Sequence, residues 1–435
     1  MPGLFPHCPA GRHGWRPVIL LACLFFVIGF VTWLNGPLIT FVQVAFSLNT
    51  VDAFLVPMCF YLSYLFFPLP ATLLIRVTGL KGGIVAALVL LSAGVAIFGE
   101  CVSLRIYSGA LGGLFTMGAA LSLLQVTVNP YVTLLGPPQE AARRIAIMGI
   151  ANKLAGIMAP IILSLLVMRH LDDLAMRVGA APDMATRERI LSQFAHAVQA
   201  PYLVMAAGLL VLAVGLGRSA LPQIDMSGIA PVPAPERTGA RPPGPFHLWF
   251  GVLCMFAYVG TEVMAGDAIG VYGNSLGIPL DQAKFLTSLT LAAMLAGYVV
   301  GMLLVPRVFS QERYLGLSAA CGLMLCALGW LTQGYVSVLC VALCGFANAM
   351  IMPALFPIII SGVKERRAQA TALLVMAFCG GAVIPRVFIQ IAPFTGVQAA
   401  FAGLAIPSYC LIILYNIITR RRNGSRIPPV MTVET

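Results

Sequence analysis

Over its 435 residues the chain alternates long apolar stretches with short polar ones. Twelve apolar stretches lie near 17–41, 53–75, 82–100, 106–135, 144–168, 198–217, 246–273, 283–305, 314–332, 335–361, 370–392 and 397–419. At a rise of about 1.5 Å per residue, each is long enough as a helix to cross a hydrocarbon layer of about 30 Å. Backbone polar groups in such a layer must be satisfied within their own segment, so the pattern predicts helices. One stretch breaks its own rule. In "SLLQVTVNPYVTLLG", Ser122, Gln125, Asn129 and Thr133 fall on one helical stripe inside an apolar run.

The polar interruption 218–245, rich in Pro and Gly, divides the stretches six and six and reads as a linker. The halves echo each other. Gln125 stands five before Pro130 and Asn348 five before Pro353, and Arg143-Arg144 and Arg366-Arg367 follow those prolines at equal spacing. Arg76 and Arg307 close the second and eighth stretches. The fold class expected is an all-α membrane protein with twelve transmembrane helices in two parallel six-helix bundles. Its parts are a lead at 1–16, bundles at 17–217 and 246–419, the linker at 218–245, and a tail at 420–435.

Composition agrees. Apolar residues make up 60% and charged residues 9%, where a soluble domain carries about a quarter charged. The formal charge of +11 has a topological meaning. With both termini in the cytoplasm, cytoplasmic segments hold 18 Lys/Arg and outer loops 6, as the positive-inside rule expects. Nucleic acid is therefore not an expected partner. The outer loop 169–197, with four acids and four arginines, reads as a solvated, partly helical cap. The first apolar run is too long for the core of a signal peptide, so no cleavage is expected. Eleven cysteines without a CxxC pair read as small packing residues, and no metal or cofactor is expected. All five histidines lie in loops or at span edges. No nucleophile–base pair or phosphate loop points to an enzyme.

Four charged groups lie inside the stretches: Lys153, Glu262, Asp267 and Arg386. Each would cost about 2.5–3.5 kcal/mol facing lipid, so they must face a cavity or one another. Gly149 and Gly156 share a face with Lys153 and admit a neighbouring helix. Lys153 and Glu262 read either as a structural ion pair between bundles or as part of a substrate or cation site. Gly260, Gly266, Gly270 and Gly273 make the helix around Asp267 easy to bend. Arg386, with Gln390 one turn on, is a possible further contact. Thr32 and Asn35 share a face before a kink at Gly36-Pro37, and Trp33 is the one tryptophan near mid-membrane. Tyr61, Tyr64, Asn152 and Asn348 complete the set. Amides and aromatic rings suit a neutral polyhydroxyl ligand, or they hydrogen-bond one helix to another.

"FVTWLNGPLI", "FYLSYLFFPLPA", "QVTVNPYVTLLGP", "RRIAIMGIANKLAGIMAP" and "YVGTEVMAGDAIGVYGNSLG" resemble the glucose/galactose transporter branch of the fucose–galactose–glucose symporter family. That family lies within the major facilitator superfamily. "RVTGLKG" at 76–82 is a degraded version of the superfamily's basic loop. The resemblance implies alternating access and cation-coupled hexose uptake, with the sugar between the bundles near the midplane. It also shows a departure. The proton-coupled fucose branch carries an Asp and a Glu where this chain has Gly36 and Gln125, neither of which takes a proton. The glucose/galactose branch shares the neutral residues and carries the span-five lysine and the span-seven Glu/Asp.

The expectation is a monomeric secondary importer of a neutral hexose in the inner membrane of a bacterium, with proton or sodium as coupling ion. Asn35, Trp33, Tyr64, Gln125, Asn129, Asn152 and Asn348 are the candidate sugar contacts. Glu262 is the first and Asp267 the second choice of coupling carboxylate, with Lys153 as the partner of Glu262. The rivals are a proton-antiport exporter of amphipathic compounds on the same fold, and uptake of another sugar such as fucose or N-acetylglucosamine.

Overall fold

The computed structural model of the chain describes residues 15–134, 141–166, 176–178, 180–196, 198–219, 245–305, 308–361 and 367–424. Every regular element among them is helical. The first half contains α1 (Trp15–Trp33), α2 (Asn35–Ala45), α3 (Thr50–Ala53), α4 (Leu55–Phe66), α5 (Pro68–Ser103), α6 (Tyr107–Leu134), α7 (Ala141–Leu166), α8 (Met184–His196) and α9 (Gln199–Arg218). The second half contains α10 (Pro245–Asp267), α11 (Ile269–Ser275), α12 (Leu280–Ala283), α13 (Leu286–Leu304), α14 (Gln311–Leu331), α15 (Gly334–Asn348), α16 (Ile351–Ser361), α17 (Arg367–Met376), α18 (Gly380–Thr395) and α19 (Val397–Gly424). Ten helical stretches among the described residues are long and apolar enough to cross a bilayer. Thr50–Phe66 and Pro68–Ile75, bent by 51° at their junction, make an eleventh, and Ile147–Leu163 is a shorter apolar helix.

Proline explains several breaks. A proline leaves the carbonyl four residues back without its N–H partner and crowds it. Pro37 does this to Trp33, and α1 gives way to α2 at Leu34. Pro68 does it to Tyr64 beside the break at Phe67, and Pro353 does it to Ala349 between α15 and α16. The break at Ala268, between α10 and α11, has no proline. There the freed carbonyls are satisfied from α13: Thr287 Oγ donates to Gly266 O at 2.8 Å and Thr290 Oγ to Ala265 O at 3.2 Å. Such replacement partners make an interrupted helix tolerable at membrane depth. Gly79, with φ of 72°, turns the chain inside α5 at the junction of the second and third apolar stretches, a conformation that suits glycine.

The helices sort into two groups that follow chain order. In the first, α5 packs on α6 and α9, α1 on α7, and α4 on α6. In the second, α14 packs on α15 and α19, α13 on α15, and α10 on α18 and α19. Backbones approach closely where glycine allows it. A Cβ at Gly118 of α6 would lie 2.1 Å from Phe60 O of α4. One at Gly345 of α15 would lie 2.3 Å from Thr290 O of α13, and one at Gly29 of α1 2.1 Å from Asn152 O of α7. The groups meet along a seam formed by α7 with α13, α4 with α18, and α2 with α10 and α11.

The helix ends around Ser47, Leu104, Gly277, Thr332 and Gly396 alternate along the chain with the opposite ends and are joined by contacts of Phe46 with Tyr107, Tyr335 with Gln282, Gln398 with Gly329 and Arg386 with Val51; they are called the Ser47 end. There α8 caps the first group. Ser103 Oγ lies 2.5 Å from His196 Nδ1, Arg105 pairs with Glu188, and the Phe41 and Phe194 rings are 4.8 Å apart. The expected cap at 169–197 is thus partly helical, though 167–175 lie outside the described residues. Most of the lead, the linker and the tail, with Arg307 and Arg366, also lie outside them. The side chains of Arg76, Asn129, Thr133, Arg143, Arg144 and Arg367 fall outside the described residues as well.

Candidate functional site: a polar seam between the helix groups

The intramembrane charges meet at the seam. Lys153 of α7 donates from Nζ to Glu262 Oε1 of α10 at 3.0 Å, both side chains being largely buried. Burial would make either charge costly alone, and the pair offsets that cost. The ammonium also sits 4.2 Å from the centre of the Trp33 ring, a cation–π contact that spreads its charge towards α1. Trp33 Nε1 donates to Asn152 Oδ1 at 3.4 Å, and Asn152 Nδ2 donates to Phe25 O at 3.4 Å. Asn152 and Lys153 are adjacent on α7 yet serve different faces, one anchoring α1 and the other reaching across to α10.

Small residues let this arrangement close. The Trp33 ring lies over Gly156 of α7 and Gly266 of α10, where added Cβ atoms would stand 2.6 and 2.5 Å from ring carbons. Gly149 faces the ring of Tyr298 on α13 at 3.0 Å. The two glycines beside Lys153 therefore admit a tryptophan and a tyrosine rather than a bare helix. Elsewhere on the seam, within the first group, Gln125 Nε2 of α6 donates to Tyr64 Oη of α4 at 3.2 Å. Tyr64 stacks on Tyr61 and leans on Phe378, between α17 and α18, at a centroid distance of 5.8 Å. Tyr61 covers Gly381 of α18.

A second polar cluster lies nearer the Ser47 end. Asp267 is 2% exposed, and neither carboxylate oxygen has a hydrogen-bond partner. It faces the Gly36 amide of α2 without a well-formed hydrogen bond. A Cβ on Gly36 would stand 3.2 Å from Asp267 Oδ1 and 2.6 Å from Thr287 Oγ. Asn35, 1% exposed, also has both amide atoms unpartnered, as does the Thr32 hydroxyl. Further along that face Arg386 donates to Val51 O, tying α18 to α3, and Ser288 Oγ of α13 donates to Ile157 O of α7 at 2.9 Å.

The candidates thus divide. Trp33, Asn152, Lys153 and Glu262 form one connected cluster, and Tyr64 with Gln125 forms another along the same seam. Asn35 and Asp267 belong to its Ser47 end. Asn348 is turned into the second helix group, where its Oδ1 accepts from Tyr409 at 2.9 Å and its carbonyl from Tyr258 at 3.2 Å. Gln390 is exposed on α18, and the Asn129 side chain is outside the described residues. The hydroxyls of α13 were missed by sequence reasoning. "LTSLT" carried the signal, three hydroxyls within one turn of an apolar helix.

The comparisons with known proteins bear on this geometry. The chain is 29% identical to a glucose/galactose transporter of Brucella abortus over 92% of each chain. It is 26% identical to the L-fucose-proton symporter of Escherichia coli, covering 92% of this chain and 91% of that one. Its fold matches the crystal structure of the transporter FucP in the outward conformation with a TM-score of 0.73 at 24% identity, over 93% of this chain and 98% of that chain. The sequence profile of the Major Facilitator Superfamily matches residues 21–385, and with that match across most of its length the chain belongs to the Major Facilitator Superfamily.

Proposed function

We propose that the protein is a sugar symporter that imports a neutral hexose together with a coupling cation by alternating access. The observation that carries this reading is the seam itself. Charged and amide side chains from α6, α7 and α10, with the Trp33 indole of α1, converge between two helix groups, at a depth where isolated polar groups are disfavoured. The names of the relatives, glucose/galactose transporter and L-fucose-proton symporter, point to the same substrate class. Gln125, Asn152, Tyr64, Trp33 and Asn35 would meet the sugar, amides giving and accepting hydrogen bonds while a ring covers its C–H face. Sugar hydroxyls would also compete for the Lys153–Glu262 hydrogen bond, so occupancy would loosen the hold of α7 on α10.

In this reading twelve helices span the inner membrane of a bacterium, both termini are cytoplasmic, and a monomer is the working unit. The Ser47 end then faces outward, and its contacts close the outer path. The test is uptake of labelled glucose, galactose, fucose and N-acetylglucosamine into proteoliposomes, with proton and sodium gradients imposed separately. Gradient-driven accumulation of one of these sugars is the expected result. Accumulation of none, with energised extrusion of amphipathic dyes, would overturn it in favour of an exporter.

A further inference from the structure

Beside the ion pair stands a buried phenol. Tyr258 of α10 lies one helical turn before Glu262 and is 2% exposed. Residues four apart share a helix face, and helical side chains lean towards the N-terminus, so the Glu262 carboxylate comes down towards the Tyr258 hydroxyl. The two groups are within hydrogen-bonding reach of each other. The hydroxyl is nonetheless given elsewhere: Tyr258 Oη donates to the carbonyl of Asn348 at 3.2 Å. That carbonyl closes α15, where the helical pattern stops before α16. Carbonyls at a helix end have no intrahelical partner, and Pro353 removes the N–H that would have met Ala349. Tyr258 thus braces the break in the tenth apolar stretch from α10, on which α15 and α16 both pack.

A phenol carries one hydrogen and can serve one strong acceptor at a time. In the arrangement seen, Lys153 satisfies Glu262 at 3.0 Å, and the Tyr258 hydrogen goes to Asn348. Once Lys153 withdraws, the carboxylate is the better acceptor, because a hydrogen bond to an ionised group is roughly twice as strong as one to a neutral carbonyl. Two other phenols lie in electrostatic reach of Glu262, and both are engaged with the first helix group. The ring of Tyr298 on α13 is held over Gly149 of α7, and Tyr61 belongs to α4 and stacks on Tyr64. Asn348 is fixed on its other side by Tyr409 of α19, whose hydroxyl donates to its Oδ1 at 2.9 Å. Its side chain therefore keeps its anchor when its carbonyl is let go.

We propose that Tyr258 is a positioning residue that moves its hydrogen bond from Asn348 to Glu262 when the Lys153–Glu262 pair opens, and so ties release of the pair to bending at the α15–α16 break. This inference rests on the symport reading above, in which a bound sugar competes with Lys153 for Glu262. With the pair closed, the break is braced against α10. With the pair open, Tyr258 turns to the carboxylate, the Asn348 carbonyl loses its donor, and α16 is released to swing about Ala349 and Met350. No proton is transferred, since the phenol keeps its hydrogen and changes acceptor. Because α15 starts at the Ser47 end, α16 runs to the opposite end of the molecule. Its contact with α10 can slide: Ile359 lies on Gly251, where an added Cβ would stand 2.6 Å from the isoleucine side chain. A polar event at the seam is thereby felt at the end of the molecule away from Ser47.

The test uses the full chain. In detergent, Tyr258→Phe should lower the thermal unfolding midpoint at least twice as far in a Lys153→Met background as in the wild type, since the hydroxyl there holds a carboxylate. Adding Glu262→Gln to that background should bring the drop back to its wild-type size. A hydroxyl that only braced Asn348 would give the same drop in all three backgrounds, and that result would overturn the proposal. In proteoliposomes, Tyr258→Phe should cut the maximal rate of sugar uptake at least tenfold while KM changes less than twofold, because the hydroxyl acts after the sugar has bound. An unchanged maximal rate, or a loss confined to KM, would also overturn it. Should Tyr258→Phe fail to fold, fluorotyrosine at position 258 keeps the ring and donates more strongly. It should raise the midpoint of Lys153→Met more than that of the wild type, and equal shifts would count against the proposal. If the wild type moves none of the hexoses, the symport reading fails, and the unfolding series then decides the role of Tyr258 by itself.

Discussion

At the scale of single residues, the pair Lys153–Glu262 is where charge and stability meet most directly. Lys153 is buried and Glu262 largely so, and the pair bridges the two helix groups. Removing one partner from a buried pair leaves an uncompensated charge, which typically costs about 3–5 kcal/mol, whereas removing both is far milder. Lys153→Met should therefore lower the unfolding midpoint in detergent well below that of the wild type, and Lys153→Met with Glu262→Gln should recover most of the loss. A thermal unfolding series by tryptophan fluorescence reads this. If the double variant proved no more stable than the single one, the pair would not be the source of the coupling. These residues were legible in the sequence because charge inside an apolar run has few innocent explanations. Asn348 was not. Its fate depends on Tyr409, 61 residues further on, and no pattern near Asn348 says which way its helix is rotated.

At the scale of elements, glycine decides which helices touch and how those contacts differ. Gly118 lies within one helix group, where an added Cβ would meet the Phe60 backbone at 2.1 Å. Backbone cannot swing aside, so Gly118→Ala should overpack the α4–α6 contact and cost about 1–3 kcal/mol. Gly36 lies between groups, and an added Cβ there meets Thr287 and Asp267 instead. Gly36→Ala should leave folding largely intact and hold the Ser47 end open. Electron-spin distance measurements between labels at Ser47 and Ser275 would detect it as a longer distance, with Gly118→Ala unchanged in the same measurement. An unaltered distance in Gly36→Ala would remove that contact from gating. The breaks at Leu34 and near Ala349 could be read ahead from Pro37 and Pro353, because a missing N–H has a fixed address. The break at Ala268 could only be guessed from its glycines, since the hydroxyls that stabilise it come from α13.

At the scale of the whole molecule, the distribution of contacts implies which surfaces move. Contacts within each helix group run along whole helices through apolar side chains and glycine, with single hydrogen bonds such as Ser92 to Ala206 O and Tyr409 to Asn348 added to that packing. Those across the seam near the Ser47 end depend instead on a few polar groups: Arg386 on Val51, Ser288 on Ile157, and the Gly36–Asp267–Thr287 junction. Surfaces joined by few, replaceable hydrogen bonds separate at lower cost than packed cores, so the seam is where two rigid bodies would rock. Covalent closure of it should then stop the cycle. Cysteines at Ile157 and Ser288, in a background whose native cysteines are replaced, would be bridged by a short bifunctional thiol reagent. Bridging should abolish sugar accumulation and exchange together, because the outer path could no longer open, and reductive release of a cleavable bridge should restore both. A bridge placed within one group, between Ser92 and Ala206, which already touch through a hydrogen bond of 2.7 Å, should leave transport running. Equal transport with either bridge in place would show that the two groups do not move against each other along this seam.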